Sequence, residues 1–156
     1  MNVFKAPWCT TLKVVSFLTT AILLAVAFVP SPMPWPVRCL VLAIPAGALP
    51  FAIFGYEIRE GSLEVRRLGW RTRIDLAGLK SARFEPTVMC GSIRTCGNGG
   101  LYSFTGWYWN KKLGSYRAYA TDLRQTVVLA FESRRIVVSP DDPEAFVRAL
   151  AVSGRG

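Results

Sequence analysis

Cysteine and carboxylate side chains are the groups in this sequence that could carry out catalysis. Cys90 and Cys96 could form a redox pair, but five residues separate them where two are usual, and the chain contains no histidine to activate a thiol. The one acidic cluster, at positions 141, 142 and 144, stands at the start of a predicted helix, where capping accounts for it. We therefore predict no catalytic residues, and a thiol-redox enzyme is the least favoured alternative.

Metal, cofactor and nucleic-acid binding are not expected. Two apolar segments would place the thiols at positions 9, 39, 90 and 96 too far apart for a zinc site. The run at 97–100 is not a nucleotide loop, because no Gly-Lys-Ser/Thr follows it. The formal net charge of +9 suits an anionic lipid surface, which is a simpler explanation here than nucleic acid.

Four arginines, Arg66, Arg67, Arg71 and Arg73, flank a predicted turn at 68–69. Across a tight turn such side chains can converge on a phosphate, so we predict a candidate site for an anion or a lipid headgroup. The alternative is a solvated sheet face, which alternating charges more commonly indicate.

Residues 86–112 are predicted to be a loop of 27 residues, and loops of that length are usually functional or disordered. Trp107, Tyr108 and Trp109 stand beside Lys111 and Lys112, a composition typical of a segment that contacts a membrane surface or a partner. The alternative is that these rings pack on the domain as a lid. We expect the glycines in and after this loop to adopt positive φ angles or to allow close approach of the backbone. They are Gly97, Gly99, Gly100, Gly106 and Gly114.

Two apolar segments dominate the first third of the chain. Positions 14–29 and 39–56 contain no charged side chain, and prolines at 30, 32, 34 and 36 separate them. The sequence predicts a membrane hairpin over residues 1–56, with helices at about 12–29 and 37–56. Two alternatives stay open: the segments could be buried helices of a soluble core, or the first could be a signal peptide cleaved near 25–27.

Basic residues predict the orientation of this hairpin. Lys5 and Lys13 precede the first helix and Arg38 lies in the turn, whereas five arginines follow the second helix between positions 59 and 73. Because positive residues favour the cytoplasmic side of a membrane, we predict a multi-pass protein with both ends in the cytoplasm. The cysteines of the soluble part would then be free thiols.

Alternating apolar and polar residues predict that residues 57–156 form a mainly β domain. Four strands are expected between positions 56 and 85, and three more between 114 and 138. A C-terminal helix follows, with Asp142 as its N-cap, Pro143 in its first turn and an ion pair between Glu144 and Arg148.

Three segments of this domain resemble a known family. They are GGLYSFTG at 99–106, LGSYRAYAT at 113–121 and VSPDDPEAF at 138–146. Together with the order of strands and helix, they resemble the bacterial pleckstrin-homology-like (PH-like) domains found behind short membrane hairpins. The resemblance implies a seven-stranded orthogonal sandwich or partly open barrel, with the C-terminal helix capping one end. It also implies a location in the bacterial inner membrane, and the family has no common catalytic residues to carry over.

These features together predict a non-enzymatic, membrane-anchored interaction module. We expect it to bind or scaffold an integral membrane protein or complex at the cytoplasmic face, and a homo-oligomer is a further option. The alternative hypothesis is a sensor of anionic lipid headgroups, which would use the arginines of the predicted turn and the segment from Trp107 to Lys112.

Overall fold

Two helices form an apolar hairpin that precedes all but the first β strand along the chain. The computed structural model describes residues 2–30 and 32–153. Helix α1 covers Thr10–Phe28, helix α2 covers Trp35–Ala48, and a short 3-10 helix follows at Leu49–Phe51. The two helices contact each other. Ala27 of α1 and Pro45 of α2 are buried, whereas most of the other side chains of both helices are exposed.

The second helix ends earlier than the sequence predicts. We expected it at about 37–56, but α2 ends at Ala48 and a strand begins at Ile53. Pro50 has no N–H to donate to the carbonyl of the preceding helical turn, so the α-helix ends and the chain passes through the 3-10 turn at Leu49–Phe51. Residues from Ile53 onward then pair with the next strand. The β-domain therefore starts inside the segment that the sequence assigned to the hairpin.

The first sheet has four antiparallel strands in the order β1-β2-β3-β4. Phe4 of the first strand lies opposite Tyr56 of the second. The chain segments before and after the helical hairpin therefore belong to one sheet, which the sequence did not predict. The strands are β1 Asn2–Lys5, β2 Ile53–Arg59, β3 Ser62–Arg67 and β4 Arg71–Asp75.

The second sheet has six strands in the order β5-β9-β10-β8-β7-β6. Strands β10 and β8 are parallel, and the other pairs are antiparallel. The strands are β5 Leu79–Phe84, β6 Ile93–Gly99, β7 Phe104–Asn110, β8 Gly114–Ala120, β9 Val127–Phe131 and β10 Arg135–Val138.

The predicted loop at 86–112 is largely sheet, and this prediction was wrong. Strands β6 and β7 form an antiparallel hairpin inside it, joined by a turn at 100–103. Glycines at 97, 99 and 106 hide the apolar alternation by which a strand is recognised in sequence. With β1 added as well, the described residues contain ten strands instead of the expected seven.

A hydrophobic core joins both sheets to the C-terminal helix α3, Pro143–Ser153. Phe146 of α3 lies edge-on to Phe4 and Tyr56, with ring centroids 5.1 and 6.1 Å away. The buried Tyr56 hydroxyl donates to the Tyr119 carbonyl oxygen at 2.7 Å, and burial raises the pKa of Tyr56 to about 12. Asp142 accepts a hydrogen bond from the Ala145 N–H at 2.9 Å, which confirms the predicted cap.

A second cluster covers the opposite face of the six-stranded sheet. Its side chains include Tyr116 and Val137 of the sheet and Leu12 of α1, which is fully buried. The first turn of α1 is therefore part of the core of the β-domain, so the hairpin and the domain pack as one body.

Candidate functional site

The turn between β6 and β7 packs against helix α1. The Ser16 hydroxyl accepts from the Tyr102 N–H at 2.9 Å and donates to the Gly100 carbonyl oxygen at 3.3 Å. One helical turn further along, the hydroxyls of Thr20 and Tyr102 are 2.7 Å apart. The Ser16 and Thr20 hydroxyls thus satisfy polar groups of the turn, which lets it lie beside an apolar helix.

The turn between β3 and β4 contacts the segment that directly follows α2. The Trp70 indole N–H donates to the Pro50 carbonyl oxygen at 2.8 Å, and the Trp70 and Phe51 rings meet edge to face at 5.8 Å. The Ser103 hydroxyl donates to the Phe51 carbonyl oxygen at 2.9 Å. We call this contact region between hairpin and β-domain the junction: Ser16, Phe51, Trp70, Tyr102 and Ser103.

Arg67 is buried beside the junction. Its guanidinium carbon lies 4.6 Å from the Trp70 ring centroid, 5.3 Å from that of Tyr119 and 5.6 Å from that of Phe51. Only 8% of the residue is exposed, and within residues 2–30 and 32–153 its Nε and Nη1 have no hydrogen-bond partner. Burial lowers the pKa of Arg67, because it disfavours the charged form.

Three of the four arginines of the predicted anion site share one face of the sheet, where Arg66 lies directly opposite Arg71. Consecutive residues of a strand point to opposite faces, so Arg67 lies on the face away from Arg66, Arg71 and Arg73. Arg71 forms ion pairs with Glu64 at 2.9 Å and with Glu57 at 3.3 Å. Its charge is therefore compensated by carboxylates of the same sheet.

The aromatic segment divides between core and surface. Tyr108 is buried, stacks on Tyr116 at 5.9 Å and donates to the Asn98 carbonyl oxygen at 2.9 Å; burial raises its pKa to about 12. Trp107 and Trp109 point the other way and are 46% and 42% exposed. Ile93, opposite Trp109 on the edge strand β6, is 62% exposed. We call these three side chains the tryptophan surface.

The two lysines of this segment lie far from the junction. β7 begins at Phe104, next to the junction residue Ser103, and ends at Asn110. Seven strand residues cover roughly 20 Å, so Lys111 and Lys112 lie about that distance from the hairpin end of the domain. Lys112 forms an ion pair with Glu85 at 2.8 Å.

A comparison with protein families identifies the β-domain. A family model described as the bacterial PH domain matches residues 54–153, which is more than half of the chain. The chain belongs to the bacterial PH domain family. The match confirms the predicted fold of two sheets with a C-terminal helix. No match was found among curated proteins or among solved structures.

Membership of the bacterial PH domain family indicates a module that interacts with proteins or lipids, and such domains are typically not enzymes. In front of the PH-like domain, α1 is long and apolar enough to cross a membrane, judged by length and composition. The segment Trp35–Phe51 is a shorter apolar helix.

The glycines of the PH-like domain allow β6 and β7 to approach closely. Gly97 and Gly106 are directly opposite, with φ angles of 112° and 141°. A Cβ at Gly106 would stand 2.8 Å from the Gly97 Cα, so neither position has room for a side chain. Gly100 and Gly114 also have positive φ angles, whereas Gly99 instead leaves space for the Arg94 guanidinium.

Sequence reasoning missed the residues that join the hairpin to the PH-like domain. Ser16 and Phe51 were attributed to the membrane segments, and β1 was not predicted, because four residues are too few to show a period. It also missed Arg117, which lies over the Trp107 ring at 5.6 Å. The one signal that could have indicated Arg117 was the run of aromatic residues in β7. A strand that pairs with such a run places its own side chains beside the rings.

Proposed function

We propose that this chain is a membrane-anchored, non-catalytic interaction module that binds an integral membrane protein at the cytoplasmic face. The observation that carries the proposal is the pairing of β1 with β2. Because the strands on both sides of the helical hairpin share one sheet, the PH-like domain cannot rotate freely relative to the helices. A surface of the domain is then presented at a fixed height and angle to the bilayer.

The outward surface of the hairpin supports anchoring in lipid. Large apolar side chains of α1 and α2 are exposed, including Phe17, Phe28 and Leu40 at 67–73%. The 19 residues of α1 extend about 28 Å, close to the ~30 Å thickness of a hydrocarbon core, and one side of its first half, at Leu12, Ser16 and Thr20, contacts the PH-like domain instead of lipid. Lys13 and the arginines of β3 and β4 lie at the end of the hairpin where the domain is attached, and this favours a cytoplasmic domain.

The contacts of α1 also speak against a cleaved signal peptide. Cleavage near Ala27 would remove β1 from the sheet, Leu12 from the core and Ser16 from the turn at 100–103. A signal peptide has no need of such contacts, because it leaves the mature protein. We therefore infer that the hairpin is retained.

The tryptophan surface is the candidate site for a protein partner. Trp107 and Trp109 lie midway along β7 or beyond, roughly 10–16 Å from the junction end of the strand, where a bilayer around the hairpin would not cover them. Exposed tryptophan next to isoleucine and to Arg117 has the composition of a binding hot spot. A neighbouring membrane protein of the same leaflet could cover these rings.

In-cell photocrosslinking tests this proposal. A photoreactive side chain at position 107 should give one specific adduct with a membrane protein, and Trp109→Ser should abolish it. The matched control is Phe84→Ser, since Phe84 is a half-exposed aromatic residue on the opposite edge of the same sheet, and this variant should preserve the adduct. Adducts with lipid only, or equal loss in both variants, would contradict the proposal.

A second candidate function, recognition of anionic lipid, is favoured by Arg67. Its buried guanidinium has free N–H groups and lies between Trp70 and Phe51, where the domain meets the helices. A phosphate of a lipid headgroup would satisfy those donors. Native mass spectrometry of the full chain in detergent with added phosphatidylglycerol tests this candidate, because bound lipid should fall in Arg67→Met and persist in Arg66→Met.

A further inference from the structure

A cavity of about 480 Å³ opens on the face of the six-stranded sheet that carries the second hydrophobic cluster. We propose that this cavity binds a single-chain amphiphile with one acidic group, of the medium-chain fatty acid class. The tryptophan surface lies on the opposite face of the same sheet, so the two sites are separate. We call the site the Arg94 cavity and define it by one charged residue and four apolar or aromatic ones: Arg94, Met89, Phe104, Tyr108 and Leu123.

The floor of the Arg94 cavity is apolar and its rim is exposed. Met89, Phe104 and Tyr108 are at most 9% exposed and belong to the second hydrophobic cluster, and Leu123 packs against that cluster. Cys90 belongs to the exposed rim. A hydrocarbon chain that displaces water from such a floor gains free energy. The volume is in the lower half of the range of small-ligand sites, about 300–1,000 Å³, and suits one alkyl chain better than a two-chain phospholipid.

Arg94 brings a positive charge to this floor. It lies directly opposite Tyr108 in the antiparallel pair of β6 and β7, so both side chains leave the same face of the sheet. Its Nη1 lies 2.6 Å from the position that a Cβ would occupy on Gly99, which also lines the cavity. Burial raises the pKa of Tyr108 to about 12, and the charge of Arg94 opposes that rise, so the guanidinium and the phenol interact electrostatically. The guanidinium therefore lies against the cavity and is not directed away from it.

The charge of Arg94 is not balanced within the described part of the chain. Its guanidinium forms no ion pair and donates no hydrogen bond to residues 2–30 or 32–153. None of the described residues that line the cavity is an aspartate or a glutamate. The planar guanidinium can donate two parallel hydrogen bonds to the oxygens of one carboxylate, and a single cation matches a single negative charge. A carboxylate at Arg94 with its chain on the apolar floor therefore satisfies both parts of the cavity.

Protection of Cys90 from alkylation tests the proposal on the full chain in nanodiscs of zwitterionic phosphatidylcholine. Cys90 lines the cavity, whereas Cys96 lies opposite Trp107 on the other face of the sheet, and both thiols are exposed. In chains that keep only one of these two cysteines, decanoate should slow the alkylation of Cys90 several-fold and leave that of Cys96 nearly unchanged. Acetate, which has no chain, should protect neither. Decanol should need about ten times the concentration, because it forms no charge-assisted hydrogen bond with Arg94.

Variants at Arg94 test the role of its charge, with the ratio of alkylation rates with and without decanoate as the readout. Arg94→Gln should raise the decanoate concentration needed for protection about tenfold, whereas Arg94→Lys, which keeps the charge, should retain most of the protection. Arg83→Gln is the matched control, since Arg83 is an exposed arginine on the same face of the sheet and outside the cavity lining. It should leave the protection unchanged. A circular dichroism spectrum like that of the wild type checks that each variant is folded.

Equal protection of Cys90 and Cys96, or equal losses in Arg94→Gln and Arg83→Gln, would overturn the proposal in favour of non-specific binding of the amphiphile. Equal potency of decanol and decanoate would overturn the role of the acidic group. Protection of Cys90 by phosphatidylglycerol in the nanodisc, without decanoate, would overturn the single-chain ligand in favour of a bilayer phospholipid. None of these results changes the crosslinking expected from position 107 on the opposite face, so failure of this proposal is separable from failure of the proposed function.

Discussion

At the scale of single residues, Arg67 is the side chain whose environment departs most from ordinary surface chemistry. A guanidinium that has left water normally gains carboxylate partners or several hydrogen bonds. Arg67 has three aromatic rings and no such partner among the described residues. Ring contacts offset part of the desolvation cost, at about 0.5–2 kcal/mol for a desolvated cation–π pair. The remaining desolvation cost is what a phosphate bound to Arg67 would offset in the second proposed function.

Arg67→Met is therefore expected to stabilise the unliganded protein. Methionine fills a similar volume and removes the buried charge, so we expect the free energy of unfolding to rise by about 1 kcal/mol. Chemical denaturation of the full chain in detergent, followed by tryptophan fluorescence, measures the change. Arg66→Met, at an exposed position, should change it by less than about 0.5 kcal/mol. A loss of stability in Arg67→Met would mean that the charge is structural.

At the scale of elements, the hairpin of β6 and β7 is the feature that the sequence pattern concealed. Paired glycines at 97 and 106 bring the two backbones together and leave no apolar side chain to mark either strand at those positions. The same absence of side chains that hides the strands from sequence analysis allows their close approach. The predicted helix α3 shows the opposite case, since its cap and its apolar stripe are both local and both visible in sequence.

Gly106→Ala should disrupt this hairpin. The new Cβ would meet the backbone of β6, and alanine rarely adopts a φ of 141°, so we expect a loss of at least about 3 kcal/mol. Gly69→Ala provides the comparison, because Gly69 also has a positive φ but nothing lies within 4 Å of its Cβ position. It should cost about 1 kcal/mol. Equal effects on the midpoint of chemical denaturation would show that conformational strain dominates and that the close approach does not matter.

At the scale of the whole molecule, the helical hairpin and the PH-like domain form one folded unit. β1 joins the first sheet, and Leu12 packs in the second hydrophobic cluster. The turn at 68–70 contacts the segment after α2, and the turn at 100–103 contacts α1. A flexible linker between anchor and domain is absent from the described ranges, 2–30 and 32–153. The distance of the tryptophan surface from the helical hairpin is therefore a fixed property of the fold.

Thiol accessibility in intact cells tests the orientation that we propose for this unit. In a chain with its native cysteines changed to serine, Pro32→Cys at the tip of the hairpin should react with a membrane-impermeant maleimide from outside. A chain that keeps Cys90 alone, which is exposed on the PH-like domain, should react only after permeabilisation. This is the result expected for two spans with both ends in the cytoplasm. The reverse pattern would place the domain outside the cytoplasm.

The sequence by itself determined the elements whose signals are local. Unbroken apolar runs predicted the two helices, alternation predicted seven of the strands, and the residues at 142–144 predicted the start of α3. Local signals suffice where burial on one face imposes a period on neighbouring residues. The family resemblance rested on the same regularity and led to the correct fold class.

Only the tertiary structure decided which residues share a site. It placed Arg67 on the sheet face opposite to Arg66 and Arg71, and it buried Tyr108 while leaving Trp107 exposed. It also recruited β1 into a sheet whose next strand lies some fifty residues further along the chain. Such contacts depend on the pairing of strands that are distant in sequence. The free energy of that pairing comes from the burial of whole sheet faces, so the sequence of a short strand does not reveal its partner.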